Sequence, residues 1–174
     1  MHPLLQEALK EIEAATAGMT EGQLKYHPEG KWCAAEILEH LALAFELTSK
    51  GCEKALAAGK NLGGEPSMKE RLIQTIVVDL KYIPTGRKAP AITTPSGQTT
   101  GLAVVERIRK GLVTMDQKLA ECREKLGTTG RLLNHPVLGP FTNEQWCTFH
   151  YVHTKHHMKQ VRGLREAQAA AATA

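Results

Sequence analysis

Apolar residues recur at helical spacing along four long stretches of this 174-residue chain, with charged residues between them. The repeat of three to four residues predicts helices over residues 3–18, 34–58, 102–126 and 143–168. Gly127 is suited to end the third of these helices, and Thr142 is suited to cap the start of the fourth. Residues 67–80 fit a shorter helix between the second and third long helices.

The two long connections have a different composition. Residues 83–101 contain Pro84, Pro90 and Pro95 with glycines and threonines, which predicts a long, ordered crossing loop. Residues 131–141 indicate a second irregular connection, because the alternation typical of strands is essentially absent. The expected fold is therefore all-α, a four-helix bundle with a long crossover between its second and third long helices. We expect a single domain over residues 1–174, frayed from about residue 167.

The composition excludes several classes of protein but does not identify a binding partner. Hydrophobic residues make up 42% and charged residues 23%, as in ordinary globular domains. The net charge of +4 is mild, and aromatic residues are only 5%, so we expect no nucleic-acid partner. There is no long apolar stretch and no signal-peptide pattern, so we expect no membrane association. The four cysteines are far apart in sequence, which is typical of reduced thiols and predicts a cytoplasmic protein.

Histidine is the residue type whose distribution points to chemistry. Four of the eight histidines fall between residues 150 and 157. On a helical wheel His150, His153 and His157 lie in one narrow stripe, and the basic residues of that helix lie opposite. Because His153 and His157 are four residues apart, their imidazoles can share one metal ion.

A third ligand must come from another helix, and His40 is the candidate. It lies in the centre of the apolar stripe of the second long helix, where an unpaired polar group costs roughly 1–3 kcal/mol. Binding a metal together with His153 and His157 would satisfy it. The alternative is that these histidines are ordinary core residues bonded to carbonyl groups. Sequence spacing does not decide between the two, since it cannot show whether the two helix faces meet.

Two further residues are candidates for catalysis. Glu36 lies one turn before His40 and can orient a ligand or move a proton, although capping the helix explains it equally well. His150 lies one turn before His153 and can support the ligands, carry a proton or simply fill the core. A zincin-type protease is disfavoured because Thr154 stands where its motif needs glutamate.

Three segments resemble a known family. Residues 32–41, WCAAEILEHL, resemble the W-S-x-x-E-[IVL]-x-x-H-L opening of the second helix in the DinB-like superfamily. Residues 153–160, HTKHHMKQ, resemble the H-x-x-H-H-x-x-Q of its last helix, and residues 135–142, HPVLGPFT, resemble the approach to that helix in uncharacterised bacterial branches. Cys33 departs from the pattern, since members often have serine there.

The resemblance implies a four-helix bundle that holds a metal through three histidines, here His40, His153 and His157. His156 would support them from beside the stripe. Zinc or nickel is the expected divalent transition metal, with iron or manganese as alternatives. Characterised branches use low-molecular-weight thiols, which implies a metal-dependent thiol S-transferase with a thiol cosubstrate and a small electrophile as substrate. The other implied function is a non-catalytic metal- or small-molecule-binding stress-response protein, and the resemblance also implies a homodimer.

Overall fold

The computed structural model describes residues 1–84, 86, 88–98 and 101–172, and it is mostly helical. Its elements are, in chain order, α1 (Pro3–Thr16), α2 (Glu21–Lys25), α3 (Ala34–Ala58), α4 (Met68–Gln74), α5 (Gly101–Leu126), β1 (Arg131–His135), β2 (Gly139–Thr142) and α6 (Asn143–Ala172). The four long helices α1, α3, α5 and α6 are those that the apolar repeat predicts. In the described chain, no helix combines the length and apolar character needed to cross a membrane.

The long helices bury one face each against one another. The most extensive contacts pair α3 with α5 and α1 with α6, and α3 also touches α6. In α1 the buried side chains Leu5, Ala8, Ile12 and Ala15 follow the predicted spacing. The apolar stripes therefore meet in one hydrophobic core. The contact between α3 and α6 is the one that brings the candidate histidines together.

The predicted helix ends agree closely with the structure. α3 spans the predicted range, and Gly59 follows it in the left-handed conformation with φ of 64°. Gly127, with φ of 82°, follows α5 as predicted. At the start of α6, the Thr142 hydroxyl accepts from the Gln145 N–H at 3.2 Å, which confirms the predicted cap.

Three helix predictions differ from the structure. α1 ends at Thr16, two residues before the predicted end. α6 continues to Ala172 instead of ending near residue 168, because an alanine-rich sequence has high helix propensity. Residues 167–172 are thus helical rather than frayed, and residues 173 and 174 lie outside the described residues. The five-residue helix α2 was not predicted at all.

The prediction of an irregular connection over residues 131–141 is wrong. β1 and β2 form an antiparallel hairpin in which Leu133 pairs with Phe141 and His135 pairs with Gly139. The register is irregular between Arg131 and Leu133, so Leu132 and Leu133 are both buried. This bulge removes the alternation by which a strand is recognised in sequence.

The crossover between α3 and α5 contains the predicted short helix and one helical turn that was not predicted. α4 and the π-helical turn Thr75–Asp79 fill the predicted range 67–80, and the additional 3-10 turn Ala91–Thr93 lies against α3. Ser96 and Gly97 hydrogen-bond the buried carboxylate of Glu39 on α3. The crossover is therefore attached to the helix that carries His40. The predicted crossing loop, residues 83–101, is described except for residues 85, 87, 99 and 100, which lie outside the described residues.

Candidate metal centre

His40 is held by a backbone group of the crossover. Its side chain is buried on α3, and its Nδ1 lies 2.8 Å from the carbonyl oxygen of Thr93. A carbonyl oxygen can only accept, so Nδ1 carries the proton of the neutral ring. The Nε2 atom of His40 is therefore left with a lone pair, which is the form that binds a metal.

His157 is fixed in the same way on α6. Its Nδ1 lies 2.8 Å from Oε1 of Gln160, which accepts a hydrogen bond from the ring N–H. The Nε2 atom of His157 then also presents a lone pair. Gln160 in turn places its amide nitrogen 3.3 Å from Nε2 of His156. His156 is thus partly exposed beside the cluster and contacts it through Gln160, and its supporting role stays a prediction.

The Nε2 atoms of the three predicted ligands converge. Nε2 of His153 lies 3.1 Å from Nε2 of His40 and 3.0 Å from Nε2 of His157. One nitrogen from each ring lies within 4.8 Å of the other two. The α3 and α6 faces that carry these residues therefore do meet, which sequence spacing alone left undecided.

Hydrogen bonding alone cannot satisfy this arrangement. His40 and His157 each direct a lone pair at His153, which has at most one proton on Nε2 and can bond only one of them. Protonating a second ring is unfavourable, because burial lowers the pKa of His40 and lowers the pKa of His157 to about 3. Burial and the two neighbouring imidazoles lower the pKa of His153 well below its ordinary value. Three neutral imidazoles aimed at one point fit a bound cation.

Aromatic side chains surround the cluster. The Trp32 ring lies 5.4 Å from the His40 ring, and Phe149 stacks on His153 with centroids 5.2 Å apart. Nδ1 of His153 is buried and has no hydrogen-bond partner among the described residues. His153 as a whole is only partly buried, so its exposed surface lies elsewhere on the residue. Trp32 and Phe149 therefore lie against the cluster, and His153 is its most exposed member.

His150 is a core residue in this structure. It is fully buried, and its Nε2 lies 2.9 Å from the Thr48 hydroxyl. Its ring stacks on Trp146 and also packs against Phe45. Burial lowers its pKa to about 3. Among the interpretations that the sequence allows, the packing role is the one these contacts favour.

Glu36 makes contacts at the start of α3. Its Oε2 accepts from the backbone N–H of Cys33 at 2.9 Å, and Nδ1 of His27 lies 3.6 Å from the same oxygen. These contacts correspond to the capping interpretation. A catalytic role for Glu36 stays a prediction.

The contacts of Thr93 and Gln160 that orient the candidate ligands were not predicted from the sequence. The Thr93 carbonyl leaves no signal, because any residue supplies a backbone oxygen and the crossover alone places it near His40. The position of Gln160, three residues after His157, places both side chains on one helix face and was the available signal.

Residues 2–163, which include all three clustered histidines, match the model of a family described as Protein of unknown function (DUF1569). The chain belongs to this family. Neither a search of curated proteins nor a search of solved structures found a match for this DUF1569 member.

Proposed function

We propose that this DUF1569 protein is a DinB-like four-helix bundle that binds a divalent transition metal through His40, His153 and His157. The observation that supports the proposal is the convergence of three Nε2 atoms, two of which have their lone pairs fixed by Thr93 and Gln160. Zinc or nickel suits neutral imidazole ligands best, and iron or manganese are the alternatives. Three protein ligands leave a position open for another molecule.

We further propose a metal-dependent transferase that joins a low-molecular-weight thiol to a small electrophile. When bound, the metal supplies the Lewis acidity that keeps a thiol in its reactive thiolate form. The chain's own contribution is positioning: Thr93 and Gln160 fix the imidazoles, and Trp32 and Phe149 keep bulk water from them. His153 is the partly exposed member, so we expect the thiol to enter past it.

A non-catalytic metal- or small-molecule-binding stress-response protein is the second candidate. One observation favours it: both groups considered for proton transfer are engaged elsewhere. Glu36 caps α3, and His150 bonds to Thr48 among aromatic rings. A binding protein needs the ligands but no general acid or base.

A conjugation assay separates the two candidates. Metal-loaded protein would be incubated with glutathione, bacillithiol or mycothiol and a panel of small electrophiles, with His153→Ala as the inactive variant and Lys159→Ala as the control. Metal-dependent conjugate formation that is lost only in His153→Ala supports the transferase. Thiol binding without product supports the binding protein. Absence of metal binding in the wild-type protein contradicts the transferase and the metal-binding form of the second candidate.

The expected homodimer and the expected absence of nucleic-acid and membrane partners stay predictions. Gel filtration with light scattering tests the first, and a mass of two chains is the expected result. A cytoplasmic location likewise stays a prediction.

A further inference from the structure

A second group of metal-ligating side chains lies at the start of α3, and it contains none of the three clustered histidines. His27, Cys33 and Glu36 each offer one ligand atom, and these three atoms lie within 4.8 Å of one another. We propose that this group is a separate binding site for a thiophilic divalent metal ion of the zinc class. The inference does not depend on the proposed function, because the two sites share no ligand.

The local geometry leaves the required atoms available. The Glu36 carboxylate uses Oε2 to accept from the Cys33 N–H at 2.9 Å. Its other oxygen, Oε1, lies 3.5 Å from the point where a β-carbon on Gly97 would stand, so it faces the crossover. The side chain of His27 is 57% exposed, so its ring can adjust to an ion without breaking the core. An ionised carboxylate has about four lone-pair sites, so Glu36 can keep the helix capped while it also binds an ion.

A cavity of about 280 Å³ opens beside these ligands and has a negative lining. Glu36 and the buried Glu39 both line it. The one lysine in the lining, Lys25, is paired with Glu21 at 2.9 Å, which offsets its charge. Arg107 pairs with Glu39 at 3.7 Å, and Ser96 and Gly97 also donate to this carboxylate. Glu36 is therefore the carboxylate of the lining that attracts a cation.

The chemistry of the ligand set selects the kind of ion. One thiolate, one imidazole and one carboxylate match zinc and similar ions, whereas magnesium and calcium require oxygen ligands. Binding would release the thiol proton of Cys33 to solvent. Cys33 is the N-cap of α3 and forms a capping box with Glu36, although serine, threonine, aspartate and asparagine are the preferred capping residues. The thiol adds a soft ligand that serine lacks.

The site should be the weaker of the two. His27 is exposed, whereas each of the three clustered histidines is at least partly buried. We expect the cluster of His40, His153 and His157 to fill first, and the His27, Cys33 and Glu36 site to fill when more metal is added. A probe that detects sulfur ligation distinguishes the two, since only the second site contains a thiolate.

Cobalt(II) titration of the reduced, full-length protein tests the proposal. Thiolate-bound cobalt gives a sulfur-to-metal charge-transfer absorption in the near ultraviolet, which three imidazoles cannot give. The wild-type protein should show this absorption, and His153→Ala should retain it. Cys33→Ser should lose it while keeping the helix cap, because serine is a good capping residue. The remaining cysteines, Cys52, Cys122 and Cys147, are fully buried and serve as an internal control.

The other two ligands are tested in the same titration. His27→Ala and Glu36→Gln should each weaken the sulfur-ligated cobalt by on the order of tenfold or more, the minimum expected from loss of a group in a metal site. The proposal is overturned if the wild-type protein shows no thiolate band. It is equally overturned if the band persists in Cys33→Ser, or if His27→Ala leaves the affinity unchanged. None of these results affects the three-histidine proposal, whose ligands remain intact.

Discussion

Histidines occupy two neighbouring regions of the interior, and their rings meet different partners. His40, His153 and His157 aim Nε2 atoms at one another across α3 and α6. His135 and His150 lie instead among aromatic residues, which are Phe45, Phe141, Trp146 and Phe149. Burial lowers the pKa values in both regions, so burial alone does not identify a metal site.

The difference lies in what satisfies each nitrogen. Nδ1 of His135 accepts from the backbone N–H groups of Val137 and Leu138, both at 3.1 Å. Nε2 of His150 bonds to the Thr48 hydroxyl. These are the usual partners of core histidines, although Nδ1 of His150, like Nδ1 of His153, is buried with no partner among the described residues. The Nε2 atoms of the other region face only imidazoles, whose protons cannot satisfy all of them. Nitrogens that converge with too few donors among them are therefore the more informative sign of a metal site.

The largest expected difference between the two regions is in metal-dependent stability. At a metal concentration a hundred times the dissociation constant, binding to the folded state alone adds about 2.7 kcal/mol to the free energy of unfolding. We expect that gain in His150→Phe and no gain in His153→Ala. Denaturant unfolding with metal and with chelator measures it, in a Cys33→Ser background that removes the second site. Equal metal-dependent gains in unfolding free energy in both variants would contradict the assignment of the metal site to the region of His153.

The orientation of the ligands gives the next effect. Gln160→Ala removes the acceptor that fixes the His157 tautomer, and loss of such a partner typically weakens a metal site about 10–100-fold. Lys159→Ala, which changes the exposed neighbour, should leave the affinity unchanged. Competition against a metal-binding dye reports both values. An unchanged affinity in Gln160→Ala would mean that the tautomer of His157 does not matter.

The region around His150 should instead tolerate the simultaneous removal of the Thr48 hydroxyl and the His150 imidazole. Thr48→Val leaves the buried Nε2 of His150 without its partner, which costs about 1–3 kcal/mol of unfolding free energy. Combining it with His150→Phe removes both polar groups, so the double variant should recover most of that loss. Both should bind metal as the wild-type protein does. A double variant less stable than Thr48→Val would show that His150 has a further role.

The last expected effect is the pH dependence contributed by His135. Burial lowers its pKa to about 4, below the ordinary value of 6.5, so the unfolded state binds the proton more readily. Its stabilising contribution is therefore complete above pH 6.5 and falls between pH 6.5 and 4, by about 1.4 kcal/mol per pH unit. Unfolding at several pH values, with chelator present, should show a shallower slope for His135→Phe. Identical slopes would contradict the pKa assignment.

The long helices and the three candidate histidines were predictable from sequence for specific reasons. The apolar repeat located α3 over its full observed length, and the spacing of four between His153 and His157 placed both on one face. His40 was found because a histidine in an apolar stripe needs a partner. The meeting of α3 with α6 was not predictable, because it depends on packing between distant segments.

The missed features each have a physical cause. The hairpin was not predicted because its bulge buries Leu132 and Leu133 in succession, which removes the alternation of a strand. The hydrogen bond between His40 and the Thr93 carbonyl was not predicted because backbone groups have no sequence signature. The contacts of His27 with Glu36 escaped because His27 precedes α3 in an irregular segment with no periodic pattern. Local patterns thus predict ligands on helices, and they miss partners supplied by loops.

Elemental analysis of freshly purified protein tests the central claim most directly. The wild-type chain and His153→Ala would be purified side by side without chelators, desalted, and analysed for divalent transition metals. The wild-type protein should contain about one ion per chain more than His153→Ala, because the variant lacks a ligand that faces both other imidazoles. Equal metal contents in the two proteins would contradict a metal centre formed by His40, His153 and His157.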